Sequence, residues 1–160
     1  SFLASKLKNF NEIIGITISQ NEIKFASTKN VSNYKYFFLN KYKANSLNIF
    51  ENKKFDIIID TNIKSFSCCD KAFNNLFKQY VNSLSHNGYI ISHINGLKWS
   101  RIVKPKLSFS FKKFFYKRLK EYDGPLNNKL SISDCKILAN ENNLKLDLDN
   151  TNLVIFKYEK

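Results

Sequence analysis

Phe55-Asp56-Ile57-Ile58-Ile59-Asp60 is the stretch on which the reading of the fold turns. It is a short, nearly unbroken apolar run that ends in a carboxylate, with Thr61-Asn62 directly behind it. Bounded by polar residues, such a run predicts a strand buried on both faces, as in parallel sheets. Downstream, Ala72, Phe73, Leu76, Phe77, Tyr80, Val81 and Leu84 recur at helical spacing. Asp70 is the predicted N-cap and Gly88 the predicted stop. Tyr89 to His93 then reads as a second apolar strand. The whole is a strand-helix-strand crossover, and in such units chemistry gathers at the carboxyl ends of the strands, where Asp60 lies.

Upstream, Ser1 to Phe10 carries a helical stripe, Phe2, Leu3, Leu7 and Phe10. Ile13 to Ile18 reads as a buried strand. Ser19 and Glu22 then have the spacing of a capping box, opening a short helix to about Lys29. Tyr34 to Leu39 is aromatic and β-prone. Asn40 to Lys54 reads as a connecting loop anchored by Leu47, Ile49 and Phe50.

Beyond the crossover, Asn95-Gly96 predicts a turn into the most basic region, Lys98 to Lys120. There Leu107, Phe111, Phe114, Phe115, Leu119 and Tyr122 form one stripe of an amphipathic helix. Ser131 and Asp134 spell a second capping box over a short helix to Asn140. Leu144, Leu146 and Leu148 alternate with charged residues. Asp149-Asn150-Thr151-Asn152 turns that strand back into Leu153 to Tyr158, an antiparallel hairpin. No internal repeat or linker interrupts the pattern, so 1–160 reads as a single domain.

The chain's 160 residues suffice for one core, and 43% hydrophobic with 15% aromatic content excludes disorder. No apolar run approaches the roughly 20 residues of a membrane span. Cys68, Cys69 and Cys135 are odd in number and lack C-x-x-C spacing. They predict reduced thiols in a cytoplasmic setting, neither a disulfide frame nor a metal site. The net charge of +13, from 26 basic and 13 acidic residues, has two readings. One is a polyanionic partner, nucleic acid or an anionic membrane surface, met by the Lys98–Lys120 helix. The other is compositional. Only Arg101 and Arg118 are arginines, and Lys, Asn, Ile and Phe are what an AT-rich genome favours. Arginine is the preferred residue for phosphate forks and base edges, so its near absence argues for the second.

The order of elements predicts an α/β, Rossmann-like three-layer sandwich with a mostly parallel sheet. Here the sequence resembles the class I S-adenosylmethionine-dependent methyltransferases, above all the group of cyclopropane-fatty-acid synthases and small-molecule methyltransferases. Three stretches carry the resemblance. Ile14-Gly15-Ile16-Thr17-Ile18-Ser19, with Glu22 and Ala26, is similar to that family's second strand and helix. Lys53 to Asp60 is similar to its fourth strand. Leu84-Ser85-His86-Asn87-Gly88-Tyr89-Ile90-Ile91 is similar to the turn into its fifth strand, with Asn87 in place of a first glycine. The resemblance covers nearly the whole chain. It implies a strand and a glycine-rich loop ahead of residues like Ser1-Phe2-Leu3-Ala4. The sequence has no methionine, and its four glycines, Gly15, Gly88, Gly96 and Gly124, are scattered. The expectation is a fragment that begins just after that loop.

The resemblance implies S-adenosylmethionine as cofactor. It implies Thr17, Ile18 and Glu22 beside the adenosine, and Ala44 offering its N–H to the adenine. Lys43, where the family commonly has an acidic residue, cannot accept the amino group's hydrogen bond. Asp60 and Thr61 fall beneath the methionine moiety and the acceptor. They do not spell the signature of amino-group DNA methylation, and they match aminopropyl transferases only loosely. Asp60 and His93 are the candidate catalytic bases, each with a bland alternative as a loop brace or strand-end residue. The expected reaction is methyl transfer to a small-molecule or lipid-like acceptor, impaired in the fragment. The alternative is a basic, non-catalytic domain that binds RNA or anionic lipid.

Overall fold

The computed structural model describes residues 9–29, 31–99 and 128–158. The expected helix over Ser1–Phe10 lies almost wholly outside these residues. So do the basic stretch from Arg101 to Lys120 and Tyr122. The chain divides into two compact units, Ser1–Asn48 and Ile49–Lys160.

In the first unit, β1 (Ile13–Thr17) pairs in parallel with β2 (Tyr34–Phe38), with α1 (Gln20–Ser27) between them in sequence. Both strands are half-buried at best, so the expectation of a buried first strand is corrected. The loop into the second unit forms a 3-10 turn, Ser46–Phe50, with Leu47 and Phe50 buried and Ile49 exposed.

The second unit holds β3 (Phe55–Ile59), α2 (Asp70–Ser83), β4 (Leu84–His93), α3 (Ile94–Leu97), α4 (Ile132–Glu141), β5 (Leu144–Leu148) and β6 (Leu153–Tyr158). Its strand order is β3-β4-β6-β5. Only β3 and β4 run parallel. β6 lies antiparallel between β4 and β5. Among the described residues two pairings are parallel and two antiparallel, so the sheet structure is mixed rather than mostly parallel. The expected hairpin forms one end of this sheet, joined to β4 through β6.

β3 is also less buried than its sequence predicts: Asp56, Ile57 and Ile59 are exposed. The reason is position. Among the described residues β4 is its one strand partner, so β3 is an edge. Its register with β4 is interrupted, Phe55 facing Leu84 and Ile57 facing Tyr89. The extra residues on β4 include Asn87 at φ 63° and Gly88, so the backbone bulges there. Helix α2 accordingly ends at Ser83, not at Gly88.

The core of the second unit lies between α2, α4 and the sheet. Phe77, Phe156, Ile63, Leu76, Ile90, Val154 and Cys135 are all but inaccessible to solvent. The Phe77 and Phe156 rings meet edge-on with centroids 5.1 Å apart. α4 opens with the expected capping box. Ser131 accepts from the Asp134 N–H, and the Asp134 carboxylate accepts from the Ser131 N–H at 2.7 Å. Hydrogen bonds from Ser131 hold the Asp134 carboxyl below its usual range. Four turns place asparagine in the left-handed region, at Asn45, Asn87, Asn143 and Asn152, and no described glycine does so.

Candidate functional site

The residues implied to surround a cofactor fall into both units. Thr17, Ile18, Glu22 and Ala44 belong to the first, and Asp60, Thr61 and His93 to the second.

In the first unit the chain leaves β1 at Thr17 and enters α1 through Ser19. The Thr17 hydroxyl accepts from the Ser19 N–H at 3.0 Å and donates to Glu22 Oε2. Ser19 Oγ accepts from the Glu22 N–H at 3.3 Å. This is one arm of the expected capping box. The other arm is missing because the Glu22 side chain turns to Thr17 and not to the Ser19 main chain. Thr17 thereby fixes a carboxylate at the carboxyl end of a parallel strand. Tyr34 joins this cluster. An added Cβ on Gly15 would lie 2.1 Å from the Tyr34 hydroxyl, so the ring crosses directly over that glycine. Burial first, and the Glu22 carboxylate second, push the Tyr34 hydroxyl above its usual value. Tyr34 escaped the sequence reading. The signal was Gly15, the one residue without a side chain in an otherwise β-branched run. Ile18 is exposed beside the cluster. Ala44 is exposed in a turn closed by Ser46 Oγ, which donates to the Lys41 carbonyl at 3.0 Å.

In the second unit Asp60 directly follows β3, and its N–H donates to the Ile91 carbonyl at 2.9 Å. Its Oδ1 accepts from the Asn62 N–H at 3.2 Å, and its Oδ2 from the Tyr80 hydroxyl at 2.9 Å. Tyr80 is a buried residue of α2, so the carboxylate ties the loop to the helix. Replacing Tyr80 with phenylalanine leaves packing intact and removes this bond. The expected cost is about 1.5 kcal/mol, read from urea unfolding. A change under about 0.5 kcal/mol would show that the contact does not hold the loop.

Exposed Thr61 lies one residue on, and Gly96 of α3 passes against its carbonyl. Ser65, itself buried, donates to the carbonyls of Gly96 at 3.0 Å and Trp99 at 2.8 Å. His93 ends β4 half-buried and caps α3: its Nδ1 accepts from the Asn95 N–H at 3.1 Å. With Nδ1 as acceptor, the proton of the neutral ring sits on Nε2, which makes that nitrogen a donor. Each residue expected as a base therefore has structural work as well. His86 is exposed on the β4 bulge. Trp99 is half-exposed and stacks edge-on against Phe66 at 5.0 Å.

The donor set of the first unit fits an adenosyl group. A carboxylate held at a strand tip suits a pair of ribose hydroxyls. For the methionine half the sequence offers no glycine-rich turn.

No family model matches this sequence, and no curated protein does. Solved structures do match. One is the N-methyltransferase NodS from Bradyrhizobium japonicum WM9, determined with S-adenosyl-L-homocysteine. It is 10% identical, at a TM-score of 0.62, over 100% of this chain and 73% of NodS. Another is an O-methyltransferase family protein from Burkholderia thailandensis, 10% identical at a TM-score of 0.60, over 99% of this chain and 47% of that one. A third, described as a possible exported protein from Bordetella parapertussis, is 11% identical at a TM-score of 0.56. That match covers 93% of this chain and 54% of the other, so the chain spans about half the length of two of the three. The chain has an α/β, Rossmann-like fold, as do the two methyltransferases among them. Among the described residues no helix is long and apolar enough to cross a membrane.

Proposed function

We propose that the chain serves S-adenosylmethionine-dependent methyl transfer to a small-molecule or lipid-like acceptor. The observation that carries this reading is the Thr17–Glu22 pair at the tip of β1, in a fold shared with methyltransferases. Glu22 would take the ribose hydroxyls, with Thr17 holding its carboxylate in place. Ile18 would cover the adenine, and Ala44 would give it a main-chain N–H. For Asp60 and Thr61 of the second unit, the assignment to the methionine part rests on the family resemblance alone. The cofactor supplies an activated methyl group on a sulfonium. What remains for the protein is to hold an acceptor atom in line, which is a matter of position. Asp60, hydrogen-bonded to Asn62 and Tyr80, and His93, hydrogen-bonded to Asn95, would orient the acceptor more than deprotonate it.

Calorimetric titration with S-adenosylhomocysteine tests this. The expected result is a saturable, one-to-one heat in the wild type. Glu22→Ala should weaken it by tenfold or more, about 1.4 kcal/mol. No saturable heat at millimolar ligand, or equal binding by Glu22→Ala, would overturn the assignment.

A further inference from the structure

Cys68 and Cys69 sit where the loop after β3 enters α2. Their Sγ atoms are 3.5 Å apart, Cys68 exposed and Cys69 half-exposed. The frame that carries them is fixed on both sides. Ser67 is buried, and its carbonyl accepts from Asn128 Nδ2 at 2.7 Å. Lys64 and Asp70 bracket the pair with an ion pair of 2.7 Å, and the Lys64 ammonium also lies 5.3 Å from the Phe73 ring centre. Two thiols are thus held side by side, facing solvent, on an ordered loop.

Three kinds of chemistry compete for such a pair. A disulfide between neighbours would have to close over a Cα separation of about 3.8 Å, below the roughly 4.4 Å lower limit of ordinary disulfides, so it would be strained. A structural zinc site needs four ligands. Among the described residues no cluster of three or more His, Cys, Asp or Glu could hold a metal. A single bridging atom is the third choice. With sulfur bonds of about 2.3 Å, a separation of 3.5 Å sets an angle of about 100° at the bridge. A linear two-coordinate ion such as mercury would need the sulfurs about 4.6 Å apart. An angle near 100° is that of a pyramidal, trivalent arsenic centre with two thiolates and one further substituent.

We propose that Cys68 and Cys69 form a dithiol site for trivalent organoarsenicals. With phenylarsine oxide the balance closes without redox change. Two S–H bonds break and two As–S bonds form, and the oxide oxygen leaves with both protons as water. The hydrogen bond to Cys69, and then burial, push the Cys68 thiol up. Cys135 does not compete. It is fully buried in α4, and burial pushes its thiol up to about 11.

The test is intact-mass titration of the 160-residue chain with phenylarsine oxide, followed by challenge with excess glutathione and then with a 1,2-dithiol. The wild type should carry one phenylarsine per chain, with loss of one water. Glutathione should leave it in place and the dithiol should remove it. Cys68→Ser and Cys69→Ser should each bind about a hundredfold more weakly or worse, since the second bond is then intermolecular. Cys135→Ser should match the wild type. Cys69 is the N-cap of α2 but makes no side-chain capping hydrogen bond, so serine there offers a better cap and the fold should survive. Far-UV circular dichroism checks this. A glutathione-resistant adduct in Cys68→Ser or Cys69→Ser, or a glutathione-labile one in the wild type, would overturn the proposal. The site rests on nothing assumed about methyl transfer.

Discussion

Phe77→Ala is expected to cost about 3–5 kcal/mol of unfolding free energy. A typical domain has only about 5–15 kcal/mol in all. The Phe77 ring is fully buried on α2, and it meets Phe156 of β6 at 5.1 Å and Phe73 at 6.2 Å. It therefore joins the helix to the innermost strand of the antiparallel half. Two rings and several aliphatic side chains would have to collapse into the space it leaves, and a sheet strand cannot shift far to fill it. Urea unfolding followed by circular dichroism measures the loss. Ile137→Ala, at a residue 57% exposed, is the matched control and should stay within about 0.5 kcal/mol. A loss under about 1 kcal/mol at Phe77 would mean that the helix is not docked on the sheet as described.

Gly96→Ala should be nearly as damaging, for the opposite reason. The added Cβ would stand 1.6 Å from the Thr61 carbonyl oxygen and 2.7 Å from its carbon. Both are main-chain atoms of a loop pinned by Asp60, Tyr80 and Ser65, so neither can swing aside. Overpacking costs typically about 1–3 kcal/mol, and this case belongs at or above the top of that range. Gly15→Ala is the instructive comparison. Its obstacle is the Tyr34 hydroxyl at 2.1 Å, the far end of a side chain, which can rotate away at lower cost. If the two substitutions destabilise equally in thermal unfolding, the tight approach of α3 to the Thr61 carbonyl is not what constrains the loop.

Much of the second unit was legible in the sequence because periodicity reports burial. The helical stripe from Ala72 to Tyr80, the Ser131–Asp134 cap and the Leu144–Tyr158 hairpin all stand where their patterns place them. Boundaries and neighbours were less legible. Ile57-Ile58-Ile59 reads as a strand covered on two sides, yet apolar run length is blind to whether a second partner is present. Gly88 reads as a helix stop, yet it lies in a bulge of β4, where Asn87 and not the glycine takes the left-handed conformation. In the candidate site, Asp60 could be chosen from its place behind a strand, and Glu22 from the family resemblance. That Tyr80 and Thr17 would hold those carboxylates could not, since these contacts depend on where a helix docks and how a side chain turns. The second arm of the Ser19 cap failed for that reason: Thr17 competes for the same carboxylate.

The left-handed asparagines at 45, 87, 143 and 152 bear on how this polypeptide tolerates change. A glycine at such a bend offers nothing but the absence of a β-carbon, and any replacement is judged on clash alone. Asparagine occupies the same conformation at a modest penalty, with a short amide that can bond to its own main chain. Glycine at those four sites would ease the local geometry. A β-branched residue, common elsewhere in this isoleucine-rich composition, would meet a steep barrier. The mutational drift that suits the strands is thus the drift that the corners refuse.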